Sequence, residues 1–170
     1  MPPAMTFVRR ILPAAKDPAD DDPDAGRIRE RLCSDVLNTS VMSAIIGGFA
    51  LSNLQQGGYE FEEGLHLAIY LFSFGAVHAC TCSALTSAFV YRHVNNLPEA
   101  KLLAWSVKYW WLPYLPLGKF AMGCVSYMIS VILISYRDLE MFASWQIAAL
   151  VFGIMSMSMV FLTVITLQRS

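Results

Sequence analysis

Gln56, Glu60, Glu62 and Glu63 gather one amide and three carboxylates at the end of an apolar run, Leu37 to Gln56 (LNTSVMSAIIGGFALSNLQQ). Carboxylate and amide oxygens are ligands for hard cations such as Ca2+. Acidic side chains repeated around a symmetric ring would concentrate cations at its mouth. On a helix, Val41, Ile45, Gly48, Ser52 and Gln55/Gln56 recur at three- and four-residue spacing, giving one stripe that is apolar at its start and polar toward the acidic residues. Polar groups left unpaired in hydrocarbon cost roughly 1 to 3 kcal/mol each. Such a face therefore calls for water, a neighbouring helix or an ion. The plainer reading makes Gly47, Gly48 and the serines a small-residue helix contact, the commoner use of these residues in membranes.

Two more residues stand out by chemistry. His78 falls inside an apolar run, where an imidazole needs a bonded partner and its charge responds to pH. Its structural role would be a hydrogen bond to a serine. Lys119 is an anomalous intramembrane charge about ten residues into the third expected span, and no expected span holds an Asp or Glu to pair with it. Snorkelling to the interface, an aromatic face, or carbonyls near Pro116 would accommodate it.

The elements that must carry these residues are membrane helices. The chain is 56% hydrophobic and 15% charged, with a mean hydropathy of +0.49, a composition foreign to soluble domains. Six of its twelve Lys and Arg fall in the first 31 residues, leaving long uncharged windows beyond. Those windows predict an all-α protein with four transmembrane helices at about 37–56, 65–90, 109–135 and 142–167. Pro113 and Pro116 should bend the third. The run from Leu103 to Ser135 outreaches a core of about 30 Å, so its first turns belong in water. Tyr109, Trp110, Trp111 and Tyr114 then form an interfacial aromatic belt.

The loop after the first span is acidic, whereas the next holds Arg92, His93, Lys101 and Lys108, so the positive-inside bias puts both termini in the cytosol. Residues 1–26, with five prolines and an acidic cluster at Asp20–Asp24, read as a disordered cytosolic tail. The apolar piece near Ile11 is broken by proline and is no secretory signal. Arg27 to Asp35 would extend the first membrane helix. Cys33, Cys80, Cys82 and Cys124 offer no disulfide framework, because none lies in an outer loop. Nucleophile elbow, phosphate loop, zinc helix and nucleic-acid patch are all missing, so neither catalysis, a cofactor nor nucleic-acid binding is expected.

Ser43 to Gln56 (SAIIGGFALSNLQQ) resembles the pore helix of the Orai family, the calcium release-activated calcium channels. Ala76-Val77-His78, Leu103-Ala104-Trp105 and Cys124 resemble its motifs in and before the second and third spans, and the resemblance covers roughly residues 27–169. It implies a hexameric homo-oligomer in the plasma membrane, surrounded by lipid, with the first helices lining a central pore and Ca2+ as the permeant ion. On that resemblance Gln56 takes the selectivity-filter position, and Glu60 and Glu62 form the outer cation vestibule. Ser52 and Phe49 stand at the gate, Ile45 lines the pore and Gly48 is the hinge. Val41 stands at a basic inner-pore position. Ser43 and His78 would couple gating between helices, and transient Ca2+ contacts fall to Gln56, Glu60 and Glu62.

Several positions depart from the family. Its filter is a ring of glutamates, whereas Gln56 offers a dipole without charge, and Ser52 replaces a bulky apolar gate residue. Lys119 stands where the family has an acidic residue. Family members also continue past the fourth span into a cytosolic helix that engages a store-sensor protein, and the sequence to Ser170 carries no such segment. The rival reading from another class is a non-conducting four-span scaffold or accessory subunit.

Overall fold

The computed structural model describes residues 23–59, 64–139 and 143–169. These form five helices: α1 (Pro23–Gln56), α2 (Gly64–Asn96), α3 (Glu99–Lys108), α4 (Tyr114–Asp138) and α5 (Ala143–Arg169). Among the described residues there is no strand. α1 from Gly26, α2 and α4 are long and apolar enough to cross a membrane, which gives the chain the character of an integral membrane protein. α5 has an apolar described stretch over Ser144–Val160.

The helix ends depart from the expected spans for local reasons. α1 starts at Pro23, a residue suited to a first helical turn because its fixed φ fits and its missing N–H is not needed there. The last residues of the expected tail are therefore helical, and residues 1–22 of it lie outside the described residues. α2 runs to Asn96, six residues past the expected end, because no proline or glycine interrupts it before Pro98. Arg92 and His93, expected in a loop, are thus helical. The run expected to continue from Leu103 into the third span is broken: α3 ends at Lys108, a tight turn covers 109–113, and the spanning helix α4 begins at Tyr114, five residues after the expected start. Pro113 disfavours a helical Leu112 and lacks the N–H that would continue α3. Pro116 sits in the first turn of α4, where proline is tolerated.

The chain divides into two compact units. One comprises residues up to 42 with 83–118. Its apolar core is Val36 of α1, Val90 and Val94 of α2 and Leu102 of α3, flanked by Leu32, Cys33, Trp105 and Leu112. Arg29 ties the α2–α3 corner, donating to the Leu97 carbonyl and lying 3.5 Å from Glu99. Ser83 Oγ donates to the carbonyl of buried Pro116 at 2.7 Å.

The other unit comprises residues 43–82 with those from 119 on. Ser43, Ala50, Ser73, Ala76, Cys80 and Ser130 are fully buried in it, and small side chains let backbones approach. A Cβ added at Gly47 would stand 3.1 Å from Cys80 Cβ. One added at Gly123 would overlap Cys80 Sγ and lie 3.3 Å from the Cys80 nitrogen and 3.4 Å from the Ala76 oxygen. Cys80 of α2 is therefore held between glycines of α1 and α4. α5 meets α4 at Gly153, whose added Cβ would lie 2.5 Å from Ile132 Cγ1, and through Gln146, which donates to the Tyr136 carbonyl at 3.0 Å. Between the two helices lies an open groove of about 550 Å³, lined among others by Tyr127, Val131, Trp145 and Phe152.

Candidate functional site

At 3.6 residues per turn, the faces of α1 separate cleanly. Ser43, Gly47 and Ala50 turn to the buried side. Val41, Ile45, Gly48 and Phe49 lie on the opposite side, with Val41 52%, Ile45 45% and Phe49 55% exposed. Nothing stands within 4 Å of a Cβ added at Gly48. Ser52 is partly exposed and Gln56 exposed on the same side. The predicted stripe is thus left uncovered by the described helices. The small-residue contact foreseen for α1 uses Ser43 and Gly47 and leaves out Gly48.

Two stripe residues are brought together. Gln56 Nε2 donates to Ser52 Oγ at 3.1 Å, one turn below. With its amide nitrogen so engaged, Gln56 offers its carbonyl oxygen, a ligand suited to a hard cation. No charged side chain lies between Leu37 and Gln56, so the stripe works through dipoles and apolar surface alone. Just beyond the helix, Tyr59 donates from its hydroxyl to the Asn53 carbonyl at 3.0 Å and meets Tyr70 edge-on at 5.4 Å. Burial pushes the Tyr59 phenol above its ordinary pKa, with the Arg137 charge acting in the opposite sense. Glu60 and Glu62, the expected vestibule, lie outside the described residues.

His78 is exposed on α2. Its ring stacks on Phe74 at 6.2 Å, Phe74 stacks on Tyr70 at 6.3 Å, and its Nε2 lies 3.8 Å from Cys82 Sγ. The i, i+4 spacing of Tyr70, Phe74, His78 and Cys82 creates this ladder along one helix face. Ser43, the partner suggested for His78, is fully buried on the packed side of α1. Lys119 is half-buried in the second turn of α4. Because the helix begins at Tyr114, the lysine lies nearer the end of the span than expected, and its four-carbon stem makes snorkelling easier.

Sequence reasoning did not single out the wedge at Cys80. Gly47, Cys80 and Gly123 sit far apart in the chain, and only their meeting in space marks them. Comparison with family models, with curated proteins and with solved structures returns no match.

Proposed function

We propose that the chain is the pore-forming subunit of an oligomeric cation channel of the Orai type. In this reading it has four spans, both termini in the cytosol, and resides in the plasma membrane, with copies of α1 gathered around a shared axis, six by resemblance. Ca2+ is the ion put forward. Glu60 and Glu62 attract it, a ring of Gln56 oxygens passes it, and movement of α1 from Ile45 to Ser52, hinged at Gly48, opens the path. His78 and Ser43 are put forward as gating residues that act through separate faces, Ser43 buried on the packed side of α1 and His78 exposed on α2.

The observation that carries this reading is the two-faced character of α1. Its small-residue side is used for contact within the chain, while the side bearing Val41, Ile45, Gly48, Phe49, Ser52 and Gln56 remains uncovered. Facing lipid, Ser52 and Gln56 would satisfy only each other; facing a wet axis, they gain water and ions. Val41, Ile45 and Phe49 are large and apolar, and this favours the second reading, a scaffold whose α1 docks on another membrane helix.

Flux separates the two. Purified protein reconstituted in liposomes should run as a ring-sized homo-oligomer and carry cations, and Gln56→Glu should raise the preference for Ca2+ over Na+ about tenfold or more, since a carboxylate binds Ca2+ far better than an amide. A monomer without flux in either form supports the scaffold.

A further inference from the structure

The α2–α3 corner carries a face that the channel reading does not use. α3 packs by one side: Leu102 is fully buried with Val36, Val90 and Val94, and Trp105 rests against them. Its other side is a line of exposed residues at helical spacing, Lys101, Ala104 and Lys108, continued in the turn by Trp111 at 46% exposure. The one acidic residue of α3, Glu99, lies 3.5 Å from Arg29. Lys108 Nζ stands 5.3 Å over the Tyr109 ring. From Gly26 to Met42 and from Ser83 to Gly118 the sequence holds six Lys and Arg against three Asp and Glu, so this stretch is net positive.

From this we infer that α3 lies in the membrane interface and binds the headgroups of anionic phospholipids through Lys101 and Lys108. A short amphipathic helix with lysines on its polar side and tryptophan beside them suits the headgroup boundary. Trp110 and Trp111 are both exposed beside Lys108 and set the depth, because tryptophan rings favour that boundary. The lysines are then level with the phosphates, and their charge complements an anionic leaflet. The inference concerns contact with lipid and stands whether or not the oligomer conducts.

The test uses the full chain with Trp145→Phe, which leaves Trp105, Trp110 and Trp111 as the fluorescent reporters. The protein is reconstituted in vesicles containing phosphatidylserine or phosphatidylcholine with brominated acyl chains, and quenching gives the relative association of each lipid. Phosphatidylserine should be preferred, and Lys101→Gln and Lys108→Gln should each reduce the preference by about fivefold. In the parent protein the preference should also shrink as salt rises from about 0.05 to 0.5 M, because screening weakens an exposed charge contact. The salt series needs no lysine variant, so a variant that fails to fold leaves the inference open to refutation. Equal quenching by the two lipids overturns it. A preference that salt removes but both lysine substitutions leave intact overturns the assignment to α3.

Discussion

Where α1 and α2 belong to the unit containing α3, branched and bulky side chains fill the space between helices: Val36, Val90, Val94 and Leu102 form one cluster. Where they belong to the unit containing α4 and α5, Ile69 is buried too, but the residues between α1, α2 and α4 are small: Ser43, Gly47, Ala50, Ala76 and Cys80; small Ser83 and Ser87 are also buried in the first unit. Withdrawing apolar area from water is favourable and rewards large side chains. In lipid that reward vanishes, and van der Waals contact at close approach must hold helices together. One pair of helices thus uses two packing chemistries. The change from one to the other coincides with the division of the chain into its two units.

The sharpest way to break this contrast is Leu102→Ala. In a core of the water-excluding kind it should cost about 3 kcal/mol, read from unfolding of the purified protein by far-ultraviolet circular dichroism. A loss under about 1 kcal/mol would mean that the α3 cluster is not a core in that sense. Next comes Gly123→Ala, expected to cost about 2 kcal/mol because the new methyl meets Cys80 Sγ and two backbone atoms. Adding Cys80→Ala should restore most of that loss. A double variant no more stable than Gly123→Ala alone would show that the sulfur is not the obstacle.

A smaller effect sharpens the comparison within α1 itself. Gly47→Ala should destabilise by about 1 kcal/mol, since its Cβ would crowd Cys80. Gly48→Ala, with open space around it, should be neutral or stabilising by up to about 1 kcal/mol through helix propensity. Equal responses in a thermal-shift assay would remove the distinction between the two faces. Smallest is Tyr59→Phe, which deletes the bond to the Asn53 carbonyl and should cost about 0.5 kcal/mol. Its readout is faster amide hydrogen exchange in the last turn of α1, and unchanged exchange would separate that turn from the tyrosine.

The helical class and the three long apolar helices were legible because hydropathy windows of bilayer length need no tertiary information. The ends were less so. The α2 helix passes its apolar window because Tyr91 to Leu97 contains no breaker, and charge alone does not stop a helix. The turn at 109–113 was half legible: the prolines announced a bend, and the chain makes a full break. In the candidate site, periodicity was enough to put Val41, Ile45, Gly48 and Ser52 on a common side. It was not enough to tell Gly47 from Gly48, adjacent and identical in type, since what distinguishes them is Cys80, thirty-three residues beyond Gly47. The position of Lys119 relative to the helix start likewise depended on the break at Pro113, so its depth was misread by the five residues from 109 to 114.

α5 has a consequence of its own. Trp145, Ile147, Phe152, Met155 and Met159 are each at least 59% exposed. Its 27 residues, rising about 1.5 Å each, outreach a hydrocarbon layer of about 30 Å. Spanning as proposed, it must lean, and the thickness of the bilayer contributes to the angle together with its packing on α4. Thin and thick membranes would therefore tilt this last rod differently.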